Sequence, residues 1–377
     1  MIDFIYLILC ILSFININIK GFNSFYNDYM LLENTSSIKG IFVWMIFFRH
    51  YTGYLNKQKT NNKISISIDR ALDQNIVSLF LFYSGYGINE SYKKKGKSYI
   101  KTLPVKSLVL FLKAQIALLL FLLNNLLLGI KTSLKKYALA IIFKSGIGNS
   151  FWFTFTIIML YLYSFLSFHF IIKMKLYNFF GIIIINIICY IHIIIVYNYY
   201  HQRQIFSVDT IICFIIGLYY SFFKSKLERL IMKNDINYYG ILIIFSIGYY
   251  NYHIALREII FNIFLKNALF TIVVILITMK IRFKNEYLNL LNKHSFSIYL
   301  LQRVIIIFIN SMKYFEKNEF IRFFIDYLLV ILISKIFDKY TGFINRLLNY
   351  KKIEMQYKKE INNKTLLEEK KVLIQIK

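Results

Sequence analysis

His50 is the residue in this chain best placed to do chemistry. It lies in "IKGIFVWMIFFRHYTGY", residues 38–54, where nine residues from Gly40 to Phe48 carry no charge before Arg49 and His50 arrive together. A histidine within hydrogen-bond reach of a hydroxyl can take its proton as the oxygen attacks an activated carbonyl. It can also carry the acyl group itself, as a covalent intermediate. Lys39 stands eleven residues earlier. Eleven residues of α-helix close three turns with about 20° left over, so both side chains leave one face, roughly 16 Å apart along the axis. Arg49 points about 100° away from His50. It stabilises developing negative charge only if it faces the same cavity.

Two readings of this pattern are open. Arg49 and His50 can mark a helix end and snorkel into headgroups. Alternatively, ionisable groups inside a span face a bundle interior and mark a reaction site or pathway. Other polar groups sit in similar surroundings. Ser84, Gly85 and Gly87, with Tyr86 between, form a small-residue stretch in "LFLFYSGYGINE", suited to close helix approach or to a slot for a narrow ligand. Trp152 opens an apolar run and fits an interfacial belt. Tyr299, Gln302 and Arg303 fall in "HSFSIYLLQRV" and need partners if buried. The intramembrane acids Asp209 and Asp326 are candidates to orient His50.

The elements that position these residues follow from composition. Hydrophobic residues make up 58% of the chain and aromatics 19%, more than the 45–50% apolar content of ordinary soluble domains. Apolar runs of bilayer-crossing length recur. They do not alternate, which excludes a transmembrane barrel. The expected fold is all-α, a polytopic transmembrane bundle of about eleven helices. They fall near 2–18, 37–54, 71–89, 105–130, 151–172, 178–197, 206–223, 238–256, 259–280, 294–311 and 321–338. Segment 131–150 is too short in its apolar middle to span. "ENTSS" supplies N-cap candidates for a helix starting near Ser37.

The net charge is +27, yet the lysines lie between apolar runs, as loops on the cytoplasmic side collect them. Nucleic acid is therefore not an expected partner; membrane lipids are. Break 90–106 holds six lysines. Alternate breaks after it, at 173–175, 224–233 and 280–293, are also basic, as is the tail from Asp338. These should face the cytoplasm, with the N-terminus outside. Break 55–70, with Lys57, Lys59, Lys63 and Arg70, runs against this pattern. Cys10, Cys189 and Cys213 lie in apolar runs without metal or disulfide spacing. The first run has Asp3 and no small-residue cleavage site, so it reads as a retained helix.

Several blocks together carry a resemblance. Lys39-Gly40 followed by an apolar run to His50 resembles the first-core-helix motif of the acyltransferase-3 family of membrane O-acyltransferases. That motif is a basic residue, ten residues, then histidine; the family more often has Arg where this chain has Lys39. "LFLFYSGYGINESYKKKGKSYI" resembles the family's Phe-rich run into Ser-Gly-Phe/Tyr and a basic loop. "NSFWFTFTIIMLYLY" resembles its Trp-Phe block. "FSVDTIICFIIGLYYS" resembles its Ser-Phe-Gly helix, with Gly217 as the glycine. "HSFSIYLLQ" resembles its Ser-x-x-Ile-Tyr-Leu-His/Gln block.

The resemblance implies an extra N-terminal helix and linker over 1–36, a ten-helix core over 37–340 and a basic cytoplasmic tail over 341–377. It implies a bacterial inner-membrane enzyme that transfers an acyl group, usually acetyl, from cytoplasmic acyl-CoA. The acceptor would be a hydroxyl of an extracytoplasmic polysaccharide or lipid-linked sugar. No bound cofactor and no metal are expected. His50 matches the catalytic position. Lys39, with Ser84, Gly85 and Tyr86, matches donor-binding positions. Arg49, Trp152, Asp209, Tyr299 and Gln302 are supporting candidates. The rival class is a multi-spanning polysaccharide transporter or polymerase of the cell-envelope pathway, which should show inverted repeats and broken helices.

Overall fold

The computed structural model describes residues 2–54, 72, 74–200, 208–254, 260–312 and 319–348. The chain folds as α1 (Ile2–Phe14), β1 (Ile17–Ile19), α2 (Leu32–Tyr54), α3 (Asn75–Lys95), α4 (Lys97–Ile100), α5 (Leu103–Leu127), α6 (Leu134–Ile141), α7 (Trp152–Lys173) and α8 (Asn178–Tyr200). Then come α9 (Ile211–Ile231), α10 (Asp235–Ile254), α11 (Ile260–Lys280), β2 (Ile281–Phe283), α12 (Glu286–Lys293), α13 (Ser295–Asn310) and α14 (Glu319–Leu347). The protein is all-α but for one short ribbon. In it β1 and β2 pair antiparallel, with Ile17 opposite Phe283 and Ile19 opposite Ile281.

Four of these segments are long and apolar enough to cross a membrane: Lys97–Leu127, Trp152–Lys173, Asn178–Asn198 and Phe261–Lys280. The helix at Asn178 shows the solvent they are built for. It is apolar throughout, yet Ile187, Tyr190, Ile191, Ile194 and Ile195 are exposed, which suits hydrocarbon and not water. The helices α1 and α13 are apolar but shorter. The helix α2 carries Glu33, Lys39 and Arg49, and α3 ends in Lys93, Lys94 and Lys95. Among the described residues the other expected spans fall short of that length or hydropathy.

Several boundaries differ from expectation. The helix α2 begins at Leu32, so Ser37 is not at its start. Ser37 Oγ instead donates to Asn289 Oδ1 at 2.8 Å, and Asn292 Nδ2 donates to Ser36 Oγ at 2.9 Å. The polar residues that looked like caps fasten α2 to α12. That helix lies inside the break expected to be a plain basic loop. It is capped by Asn285, whose Oδ1 accepts from the Leu288 N–H at 3.2 Å, one of the donors a helix start leaves over. The helix α14 runs through the expected 340/341 boundary, and residues 349–377 of the tail lie outside the described residues. So do 55–71, which hold the cations of the discordant break.

Two close approaches fix the helices around the candidate site. A Cβ on Gly85 would lie 2.1 Å from the Phe214 carbonyl oxygen, and one on Gly217 would lie 2.2 Å from that of Phe82. The helices α3 and α9 thus press glycine to backbone in both directions, the packing that small residues permit in membranes. At Gly40 a Cβ would lie 2.1 Å from the Leu288 carbonyl oxygen. Gly40 therefore seats α12 against α2, one residue after Lys39.

Candidate functional site

The helix α2 positions the two residues from which the sequence reading began. Lys39, Val43, Ile46 and His50 stand at i, i+4, i+7 and i+11, one face of an α-helix. Between the two ends of that face, Val43 and Ile46 line a cavity of about 60 Å³. Val77 and Phe80 of α3, Phe153 of α7, and Phe296, Tyr299 and Gln302 of α13 complete its wall. The cavity lies where α2, α3, α7 and α13 meet, and α2 presents to it the face that carries Lys39 and His50.

The wall is almost wholly apolar, with one amide in it. Gln302 is fully buried, and neither its Nε2 nor its Oε1 has a hydrogen-bond partner among the described residues. A buried amide without partners costs about 1–3 kcal/mol, so it is an arrangement that a fold alone does not favour. Phe80 and Tyr299 each meet the Phe153 ring edge to face, at 6.4 and 5.5 Å between centroids. The Tyr299 hydroxyl donates to the Ser150 carbonyl, which aligns α13 with the start of α7.

At one end of the α2 face, the Lys39 ammonium lies 5.5 Å from the centre of the Tyr83 ring. The Tyr83 hydroxyl is buried without a partner among the described residues. At the other end, His50 has Arg303 and Arg49 as its charged neighbours. Arg303 Nε donates to the Tyr54 hydroxyl at 2.9 Å, which holds the guanidinium one turn beyond His50. Arg49 thus belongs to the same neighbourhood despite its offset on the helix. Tyr51 faces elsewhere. Its hydroxyl donates to the Glu319 carbonyl at 3.1 Å and accepts from Arg322 Nε at 3.2 Å.

The residues expected beside Lys39 separate. Successive helix positions turn by about 100°, and Ser84, Gly85 and Tyr86 accordingly meet different neighbours. Ser84 pairs with the Tyr161 hydroxyl of α7. Gly85 meets the Phe214 carbonyl, so of its two readings it serves close helix approach, with α9 where a ligand slot would have been. The Tyr86 hydroxyl accepts from Lys224 Nζ at 3.2 Å. Tyr83 is the residue of that stretch that reaches Lys39. Trp152 packs on Phe153 at 6.2 Å, and Phe153, not Trp152, lines the cavity. The Asp209 carbonyl accepts from Asn267 Nδ2 of α11 at 3.0 Å. Asp326 is fully buried and has Arg322 as its charged neighbour. Neither acid is among the charged neighbours of His50.

No family model, curated protein or solved structure matches this chain. What the site can do therefore rests on its own residues.

A second group of charges escaped the sequence reading. Lys113 Nζ lies 2.9 Å from Asp338 Oδ1, His294 Nδ1 lies 2.7 Å from Asp338 Oδ2, and Ser297 Oγ donates to Asp338 Oδ1 at 2.6 Å. The three charged or chargeable side chains are at most 23% exposed. They tie α5, α13 and α14 together. Lys113 and Asp338 are ionisable groups within or beside apolar runs, which was the available signal. Their pairing spans up to 225 residues and leaves no trace in local spacing.

Proposed function

We propose that the protein is an integral-membrane O-acyltransferase. It transfers a short acyl group, acetyl in the first instance, from acyl-CoA to a hydroxyl of a polysaccharide or lipid-linked sugar. The observation that supports this reading is the cavity lined by Val43 and Ile46 of α2, which stand on the helix face that also carries Lys39 and His50. Lys39, two turns into α2 and one residue before the Gly40 contact with α12 of the basic break 280–293, suits the anionic part of the donor. The donor side would be the cytoplasm, since lysine-rich breaks face that way. This sets a multi-pass bundle in a bacterial inner membrane, N-terminus outside and C-terminus inside.

His50 takes the acceptor hydroxyl proton as the oxygen attacks the thioester carbonyl. Arg303 and Arg49 then stabilise the negative charge on the carbonyl oxygen. The carbon–sulfur bond breaks and the thiolate takes a proton to leave as free CoA thiol. A covalent acyl-histidine is the alternative course through the same residue. A cavity of about 60 Å³ has room for roughly four to six water-sized groups, at about 10–15 Å³ each. That is room for a short acyl group.

The rival class is a multi-spanning polysaccharide transporter or polymerase, whose mark would be helices broken within the bundle. Membranes containing the protein, given labelled acetyl-CoA, separate the readings. Label on glycan hydroxyls is the expected result. Glycan movement across the membrane without label would replace the transferase with the transporter.

A further inference from the structure

Away from the Lys39–His50 face, three apolar stripes surround a cleft of about 320 Å³. The helix α9 contributes Phe223, Leu227 and Ile231, every fourth residue. The helix α10 contributes Ile241 and Phe245, and α11 contributes Ile272 and Leu276, at the same spacing. Each stripe has the pattern of a packed helix face, and the three helices, though in contact, leave an apolar space between them. Two hydroxyls stand in the lining, and both are turned to partners: Tyr219 to Asn186 and Tyr220 to Tyr29.

Interiors pack with few voids larger than a water molecule, and an apolar space of this size does not hold water well. Its occupant is therefore a hydrocarbon. The neighbouring surface says where that comes from. Ile243, Ile244 and Ile247 of α10 are exposed beside the cleft, as residues facing bilayer chains are. The cleft runs to the bundle end where α9 turns into α10. There Lys226 and Lys233 are exposed, and among the described residues neither is in an ion pair. By contrast Lys280, at the same end, is neutralised by Asp235 at 2.6 Å. Unpaired lysines at the mouth of an apolar cleft select a negative headgroup.

We infer that this cleft binds one acyl chain of an anionic phospholipid, its phosphate held at the mouth by Lys226 and Lys233. The lipid completes the contact between α9, α10 and α11 that their side chains leave open.

The test is lipid retention. The full chain is purified in mild detergent from membranes containing phosphatidylglycerol and phosphatidylethanolamine, and the retained lipid is extracted and measured by mass spectrometry. The wild type should keep phosphatidylglycerol in preference. Ile272→Trp, which fills the cleft, should lose it. Ile244→Trp adds the same bulk on the outer face of α10 and should keep it, which guards against a general folding defect. A Lys226→Gln and Lys233→Gln double variant should retain lipid but lose the preference for phosphatidylglycerol. Equal retention in the two tryptophan variants, or a free fatty acid in place of phospholipid, would overturn the proposal. The readout is independent of acyl transfer.

Discussion

Two groups of polar side chains sit in the apolar body of this protein, and they are finished differently. Around Asp338, Lys113, His294 and Ser297 meet every demand of the carboxylate within 2.9 Å. Along the α2 face that carries Lys39 and His50, Val43 and Ile46 line a cavity whose one amide, Gln302, has no partner among the described residues. A buried charge network that closes on itself holds helices in place. A polar face left open toward a cavity keeps its hydrogen-bonding capacity for something that enters. On the proposed reading, the first group serves structure and the second chemistry.

Four substitutions probe that division. The largest effect belongs to His50→Ala, which should lower acyl transfer by about 10²–10⁴-fold while the protein inserts and accumulates as before. Labelled acetyl-CoA assays on matched membranes measure it, and full activity would remove His50 from the reaction. Next is Asp338→Ala. It strands Lys113 and should cost about 3 kcal/mol, the low end for a buried pair because Asp338 is partly exposed. The readout is a lower melting temperature in detergent. Gln302→Leu should move the two regions in opposite senses. Removing an unsatisfied amide should raise stability by about 1–3 kcal/mol, while acyl transfer falls. A loss of stability would mean that Gln302 belongs with the structural group. The smallest change is Lys39→Ala, which should raise the KM for acyl-CoA with kcat nearly unchanged. An unaltered KM would take Lys39 out of the donor site.

The parts of this arrangement that could be read from the sequence were those carried by one helix. Lys39 and His50 share a face because eleven residues nearly close three turns, and the cavity lies on that face. The same logic misled at Ser84, Gly85 and Tyr86. Adjacent positions were grouped as one site, although adjacent helical side chains diverge, and the structure turns each to a different neighbour. The start of α2 was misjudged because Thr35, Ser36 and Ser37 look like caps. The hydroxyls of Ser36 and Ser37 are used by α12, some 250 residues away, while that of Thr35 bonds to the Leu32 carbonyl of its own helix. Pairings between distant helices, such as Lys113 with Asp338, depend on which helices become neighbours and at what depth. Apolar periodicity specifies neither.

The ribbon of β1 and β2 has a consequence for how the chain is made. Ile17 pairs with Phe283, and Asn285 Nδ2 donates to the Leu12 carbonyl at 2.7 Å. The seat of α1 is thus completed by residues translated some 266 positions later. At about 5–20 residues per second, that interval is on the order of tens of seconds. Until then α1 rests on α2, through the Trp44 Nε1 bond to Ser13 Oγ at 2.9 Å and the Tyr6 ring against Trp44 and Phe48. The ribbon and Asn285 then close over it, so α1 is fixed in two stages far apart in synthesis.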